Sequence, residues 1–245
     1  LEPSSRLITG GEAGCLLLHG FSGSPLEMVP LAEALAGEGW TISVAQLAGH
    51  GTSPYDLART TWEDWIGSAR QAYADLRDRC RRIALVGLSM GGALGLYLAA
   101  TEGAAAVVAI STPIRVRPLL ATASRKASRV LPLVPVIFRL SPRERTMRRY
   151  RSPYTRIPLG ATGEVDRLLD ATREVLPRLT APTLVVQGRR DWVIPRESGP
   201  QIVALAQSSP ATLLWLPRSG HVATLDRDRG MLFDAVKGFL RTHLT

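Results

Sequence analysis

The fold of this 245-residue chain is decided by the stretch Arg82-Ile83-Ala84-Leu85-Val86-Gly87-Leu88-Ser89-Met90-Gly91-Gly92. Its apolar run predicts a buried parallel strand, and Gly-x-Ser-x-Gly predicts a sharp turn into a helix that begins near Gly91. Glycines two residues before and two residues after Ser89 leave room for that turn. The pattern is typical of a nucleophile elbow, which lifts a serine hydroxyl out of the sheet edge. An ordinary strand-to-helix turn is the alternative interpretation.

Strands and helices alternate on both sides of this motif. Such alternation predicts an α/β fold built on a doubly wound, mostly parallel sheet, with a short edge strand near residues 6–8. Ser24 and Glu27 have the spacing of a capping box, which predicts the start of the first helix. Further strands are predicted at 15–18, 41–45, 106–110, 183–187 and 211–216, and helices at about 24–37, 61–78, 164–176, 196–207 and 226–243.

The positive charge of the chain is concentrated in one segment. The formal net charge is +9, but Ile114–Pro158 alone carries 12 Arg or Lys residues against one acid, Glu144, while the rest of the chain has a net charge of −2. This proline-rich segment also interrupts the strand-helix alternation. We therefore expect a core domain at 1–113 and 164–245, with an insertion at 114–163.

The inserted segment contains an apolar stretch, Val130–Phe138, flanked by Arg129 and Arg139. One interpretation is an apolar lid with a cationic rim that contacts lipid at an anionic membrane surface. The other is a lid packed on its own core with a solvated rim, and the sequence favours neither. Nucleic-acid binding is disfavoured, because the basic cluster lacks interleaved aromatic residues.

Composition limits the remaining classes. The chain is 45% hydrophobic, enough for a sizeable core, and it has no apolar run long enough to span a bilayer. Its start lacks a signal-peptide pattern, which favours a cytoplasmic location, although a first residue of Leu1 leaves open a removed leader. Cys15 and Cys80 have no metal or redox spacing, so we expect free buried thiols; a disulfide between them stays open.

A serine nucleophile needs a base and a group that orients the base. Of four histidines, His221 follows the last predicted strand, at the sheet edge where such folds place their sites. Asp191 follows the preceding strand and is the only acid in that position, so we expect it to orient His221. The order Ser89, Asp191, His221 is the order of this fold. A histidine that caps a turn and a salt bridge from Asp191 to Arg189 or Arg190 are the alternatives.

An oxyanion that develops during ester cleavage needs hydrogen-bond donors. We expect one donor to be the backbone N–H of Met90, directly after the nucleophile. The second is expected from the loop after the first buried strand, at the backbone N–H of Phe21. The alternative roles are a core aromatic for Phe21 and a packing residue for Met90, and neither conflicts with a backbone role.

Five motifs carry a resemblance to a known family: His19–Pro25, Gly49-His50-Gly51, Gly87–Gly92, Asp191 with Val193 and Pro195, and Gly220–Asp226. In these the chain resembles the α/β-hydrolases, and within them bacterial carboxylesterases and monoacylglycerol lipases. The resemblance implies that segment 114–163 is a cap that shapes the acyl and alcohol sites, with no metal or cofactor. Glu144 is the only acid in the cap available for a polar contact with glycerol. Candidate substrate contacts are Ser22, Ile137, Phe138, Glu144, Trp192, Val193 and Val222.

These observations together predict a serine ester hydrolase that forms an acyl-serine intermediate. Its expected substrates are small-molecule esters or lipids, namely short- to medium-chain carboxylic esters, including monoacylglycerols. The same three side chains serve perhydrolysis, C–C bond hydrolysis or acyl transfer in the alternative interpretation. A non-catalytic small-molecule receptor on the same fold is the alternative of a different class. The sequence gives no indication of the oligomeric state.

Overall fold

A seven-stranded sheet forms the centre of the protein. The computed structural model describes residues 4–115, 133–135, 147, 149, 150, 152 and 154–244. Its strands are β1 Arg6–Ile8, β2 Ala13–Leu18, β3 Thr41–Val44, β4 Arg82–Leu88, β5 Ala106–Ile110, β8 Thr183–Gly188 and β9 Ala211–Leu216, while β6 Leu133–Pro135 and β7 Arg156–Pro158 form a separate two-stranded sheet. The order across the central sheet is β1-β3-β2-β4-β5-β8-β9, and all neighbours are parallel except β1, which pairs antiparallel with β3. The predicted doubly wound, mostly parallel sheet is therefore confirmed.

Helices cover both faces of the central sheet. They are α1 Val29–Ala36, α2 Pro54–Leu57, α3 Trp62–Arg77, α4 Met90–Glu102, α5 Leu159–Val175, α6 Ser198–Leu205 and α7 Arg229–Leu244. Short 3-10 turns lie at Pro25–Met28, Leu176–Arg178 and Ala223–Leu225. Because side chains alternate along a strand, β2 places Leu16 and Leu18 in one core and Cys15 and Leu17 in the other. Helices α3 to α6 pack on the first face, and α1 and α7 on the second.

The turn between β4 and α4 depends on close backbone approach at two glycines. A Cβ at Gly87 would lie 2.1 Å from the carbonyl oxygen of Gly91, and a Cβ at Gly91 would lie 2.2 Å from that of Leu18. Ser89 between them has φ 56° and ψ −119°, a conformation that type II′ turns normally give to glycine. Larger residues at either glycine would push the helix away from the sheet, so the motif fixes both the turn and the position of Ser89.

Two local predictions differ from the structure, and one short helix was not predicted. Ser24 makes no capping hydrogen bond, because the chain after it first forms a 3-10 turn and α1 begins only at Val29. Helix α5 begins at Leu159, five residues before the predicted start, where Pro158 ends β7. Helix α2, which was not predicted, begins with Pro54 and a capping box between Ser53 and Asp56. In each case local turn chemistry, not the hydrophobic period, sets the boundary.

Hydrogen bonds link the described end of segment 114–163 to two loops at the carboxyl edge of the sheet. The Ser152 hydroxyl donates to the carbonyl oxygen of Ser22 at 2.8 Å, and the Tyr154 hydroxyl donates to that of Gly49 at 2.6 Å. The segment therefore returns to the core beside the loops that follow β2 and β3. Within the described part of the chain, no helix is long and apolar enough to cross a membrane.

Both cysteine thiols are free and buried, as predicted. Burial, and next the proximity of the Cys80 thiol, hold the pKa of Cys15 far above its usual range. Cys15 lies within β2 and Cys80 lies directly before β4, so neither occupies the carboxyl edge of the sheet. They belong to the core and not to a reactive site.

Candidate active site

The three side chains predicted to act together meet at the carboxyl edge of the sheet. His221 Nε2 lies 2.9 Å from Ser89 Oγ, and His221 Nδ1 lies 2.8 Å from Asp191 Oδ2. The Asp191 carboxylate is fully buried, whereas the imidazole is 18% exposed. A carboxylate only accepts hydrogen bonds, so Nδ1 carries the proton and Nε2 accepts from the serine hydroxyl. This arrangement can take a proton from Ser89 and stabilise the imidazolium that results.

Backbone donors hold the Asp191 carboxylate in its orientation. Its Oδ1 accepts from the N–H groups of Val193 at 2.9 Å and Ile194 at 3.3 Å, which leaves Oδ2 for the imidazole. Gln187, buried at the end of β8, closes the same loop by accepting from Gly199 N–H and donating to the Pro195 carbonyl. Gln187 was not among the predicted site residues, although an amide inside an apolar strand must be buried and hydrogen-bonded.

Two buried carboxylates hold the loop that carries His221. Asp226 accepts from the backbone N–H of Gly220 at 2.7 Å. Asp228 accepts from the backbone N–H and the guanidinium of Arg218, and from the hydroxyl of Ser219 at 3.0 Å. Hydrogen bonds to buried carboxylates therefore hold three successive residues, 218–220, of the loop between β9 and His221. The signal available in the sequence was two acids shortly after the histidine, in a stretch otherwise buried.

The pKa of Asp228 lies below its usual value, with a consequence for stability in acid. Burial of this carboxyl, which is 3% exposed, favours the neutral form, but the hydrogen bonds from Arg218 and Ser219 outweigh it. A carboxylate with a lowered pKa stabilises the fold above its unfolded pKa, and that contribution is lost as pH falls through the folded pKa.

We expect Asp228→Asn to lower the free energy of unfolding by about 1–3 kcal/mol at neutral pH, the range for buried charge-assisted hydrogen bonds. The difference from wild type should shrink as pH falls below about 4, where this carboxyl becomes protonated in the unfolded chain, and should be smallest below the lowered pKa of the folded state. Urea unfolding across this pH range measures both values. Asp170→Asn, on the exposed side of α5, is the matched control and should change little. A difference that is constant with pH would contradict the electrostatic explanation.

The loop after β2 passes directly against the serine. A Cβ at Gly20 would lie 3.3 Å from Ser89 Cβ and 3.9 Å from its Oγ, so Phe21 follows a point of contact with the nucleophile. Met90 is the first residue of α4, where a backbone N–H has no partner within the helix. The two predicted backbone donors thus belong to the two segments that adjoin Ser89, the first turn of α4 and the loop after β2. The Phe21 ring packs against His50 and Trp65, a core role beside its backbone.

The other histidines have different surroundings. His19 is buried, with Nδ1 3.0 Å from the Gly20 carbonyl oxygen and Nε2 accepting from Leu47 N–H, which suits the predicted structural role. His50 Nδ1 lies 2.9 Å from the carbonyl oxygen of Ala48. His243 lies near the end of α7 and packs edge-on against Phe239.

Of the seven predicted substrate contacts, four lie in the described part of the chain and three lie outside it. Ser22 is buried, with φ 50°; Val193 is half-buried beside Asp191; Trp192 is 53% exposed. Val222 packs beside Val29, Tyr150 and Leu225, where the inserted segment returns to the His221 loop. Ile137, Phe138 and Glu144 lie outside the described residues. The part of the chain that the structure describes holds no group of three or more His, Cys, Asp or Glu side chains suited to a metal ion.

Comparison with known proteins places these features in a family context. The family model described as Hydrolase_4, "Serine aminopeptidase, S33", matches residues 11–228. A thermostable monoacylglycerol lipase of Bacillus sp. (strain H-257) is 34% identical over 95% of this chain and 92% of its own length. A carboxylesterase of Bacillus subtilis (strain 168) is 28% identical over 98% of this chain and 97% of its own length.

Solved structures give the same result for the fold. A structure from a study of two metagenome-derived lipolytic enzymes, LipS and LipT, superposes with a TM-score of 0.89 at 31% identity, over 99% of this chain and 98% of that one. The monoacylglycerol lipase of Paleococcus ferrophilus superposes with a TM-score of 0.79 at 19% identity, over 98% of both chains. At that identity, the second likeness supports the fold alone.

Proposed function

The chain belongs to the Hydrolase_4 (serine aminopeptidase, S33) family of α/β-hydrolases and is a lipase- and esterase-like hydrolase, and from this premise we propose that it cleaves carboxylic esters through an acyl-serine intermediate. The observation that carries the proposal is the continuous chain of hydrogen bonds from Ser89 Oγ through His221 to Asp191. Ser89 is the nucleophile, His221 the base and then the acid, and Asp191 the positioning residue.

In the first half of the reaction, Ser89 Oγ bonds to the ester carbonyl carbon while its proton passes to His221 Nε2. The carbonyl oxygen becomes an oxyanion, which the backbone N–H groups of Met90 and Phe21 stabilise. The oxyanion then reforms the carbonyl, and the bond to the alkoxy oxygen breaks. The proton on His221 Nε2 goes to that oxygen, so an alcohol leaves and the acyl group stays on Ser89.

In the second half, water replaces the alcohol. His221 Nε2 takes a proton from water, whose oxygen bonds to the acyl carbon. The bond from this carbon to Ser89 Oγ breaks, and Ser89 regains its proton from His221. One ester and one water give one acid and one alcohol. Asp191 stays ionised throughout and stabilises the imidazolium in both halves.

The substrates proposed are short- to medium-chain esters, including monoacylglycerols. The support is the similarity to a monoacylglycerol lipase and a carboxylesterase over almost the whole chain. The test is a profile of kcat/KM over p-nitrophenyl esters of increasing acyl length and over matching monoacylglycerols. We expect many turnovers per site, with a maximum at short or medium length. A single stoichiometric release of product would favour a receptor, and hydrolysis of aminoacyl anilides alone would favour a peptidase.

We propose that residues 114–163 form a cap over this site. Its described end supports this role, because Ser152 is hydrogen-bonded to the loop that holds Phe21 and Tyr150 packs beside Val222. The described end of the segment therefore lies next to both the proposed oxyanion loop and the histidine loop. Its predicted contact with anionic membranes rests on residues largely outside the described part of the chain.

We expect Asp191→Asn to lower kcat by about 10³- to 10⁴-fold, because an amide does not stabilise the imidazolium and favours the wrong tautomer. The folded structure should persist, since an amide oxygen still accepts from Val193 N–H. Asp170→Asn, an exposed acid on α5, is the matched control and should retain wild-type activity. Steady-state kinetics with a soluble ester measure both, and near-normal kcat in Asp191→Asn would assign the orienting role to another group.

A further inference from the structure

The loop between β8 and α6 presents an exposed basic and aromatic surface beside the proposed catalytic residues. We call Arg189, Arg190, Trp192 and Arg196 the acid-loop surface, because Asp191 lies within it. The three arginines are exposed, and Trp192, at 53% exposure, is one of few large apolar side chains exposed in the described part of the chain. The loop therefore presents an aromatic side chain together with three guanidinium groups.

Positive charge faces outward from this loop and negative charge faces inward. The Asp191 carboxylate is fully buried under the loop, and Asp226 and Asp228 are buried under the adjoining one. Among the described residues, none of the three arginines of the acid-loop surface forms an ion pair with a carboxylate. Glu197 is the one exposed acid within 189–197. The outer layer of this loop is therefore cationic.

Two of these arginines lie over the ring of Trp215, a residue of β9. The guanidinium carbons of Arg189 and Arg196 lie 5.3 Å and 5.8 Å from the centroid of the Trp215 ring. Like charges brought to one ring repel each other, and an external anionic surface would relieve that repulsion. The ring thus keeps both arginines directed at the same region of space.

We propose that the acid-loop surface docks the protein on anionic phospholipid bilayers. Arginines near an anionic leaflet gain electrostatic attraction, and tryptophan prefers the level of the headgroups, so both residue types fit one occupant. The surface lies at the carboxyl edge of the sheet, so docking brings the site beside Ser89 towards the lipid. A nucleic acid fits less well, because only one exposed aromatic side chain is available for stacking.

The opposite sheet edge is also rich in arginine but lacks these features. Arg81 pairs with Glu12 at 3.1 Å, Arg77 lies over the Tyr73 ring, and Arg79 is exposed between them. The large exposed apolar side chains of the described residues do not include any from this edge. It therefore supplies a control with the same loss of charge.

The test measures partition of the protein into vesicles of ether-linked phosphatidylcholine with and without 30% ether-linked phosphatidylglycerol, which contain no carboxylic ester that the proposed activity could cleave. Its outcome is therefore independent of the proposed hydrolysis. One arginine near an anionic surface is worth about fivefold in partition, so Arg189→Gln/Arg190→Gln/Arg196→Gln should reduce binding on the order of 100-fold. The control Arg77→Gln/Arg79→Gln/Arg81→Gln should change it less than threefold, and thermal unfolding checks that both are folded.

Trp192 supplies a second readout that needs no charge change. Phosphatidylglycerol with brominated chains should quench the fluorescence of the wild-type protein, and Trp192→Phe should lose most of that quenching. Equal partition of the two triple variants would overturn the proposal, as would equal binding of the wild type to neutral and anionic vesicles. Displacement by millimolar inorganic phosphate at constant ionic strength would also overturn it, in favour of a discrete anion site.

Discussion

The Ser89→Ala protein should fold normally and lose about 10⁴- to 10⁶-fold in kcat. The alanine keeps a Cβ in the same backbone conformation, so the β4–α4 turn is preserved while the only proposed nucleophile is removed. The magnitude follows from the behaviour of triads, in which loss of one member removes the contribution of the whole unit. Single-turnover and steady-state kinetics with a soluble ester, together with a melting temperature, measure the two parts of this expectation.

The matched control for this variant is Ser111→Ala. Ser111 is also a buried serine with a positive φ, 46°, at the end of the neighbouring strand β5, and its hydroxyl has no hydrogen-bond partner among the described residues. We expect near-normal kcat. A serine-directed organophosphate should modify one equivalent of wild type at Ser89, located by peptide mass mapping, and none of Ser89→Ala. Retained activity in a pure Ser89→Ala sample would contradict the nucleophile assignment.

His221→Ala should be as severe as Ser89→Ala, and the double variant should be little worse than either single variant. The physical reason is that His221 contributes to the rate only when Ser89 is present, and Ser89 contributes only when His221 is present. His243→Ala, on α7, tests whether the loss of any histidine affects the rate, and we expect it to retain activity. Additive losses in the double variant, amounting to the product of the two single effects, would show that the two residues act independently.

The sequence predicted those parts of the fold that follow from period and local composition. Strand β5 has the predicted bounds, the edge strand β1 lies where it was expected, and α3 begins at Trp62, next to the predicted start at 61. The alternation of strand and helix was enough to predict the doubly wound sheet. Chain order and position after a strand were enough to select Ser89, Asp191 and His221, which the structure places within hydrogen-bonding distance.

What the sequence did not predict depends on contacts between distant residues. The spacing of Ser24 and Glu27 favoured a capping box, but Glu27 is buried, 3% exposed, and Gly23 packs against its carboxylate. To predict the roles of Gln187 and Asp228, one must know which loops they contact in the folded protein. The hydrophobic period of the sequence does not contain this information. The contacts predicted for Ile137, Phe138 and Glu144 lie outside the described residues and stay predictions.

The backbone at Ser89 sets function against stability at a single residue. A conformation normally given to glycine costs a serine on the order of 1–3 kcal/mol, and part of that strain would be relieved by Ser89→Gly. A selection for melting temperature alone would therefore favour the loss of the proposed nucleophile. Efforts to obtain a more heat-resistant form of this protein need to exclude the elbow from mutagenesis, or to select for turnover and unfolding together.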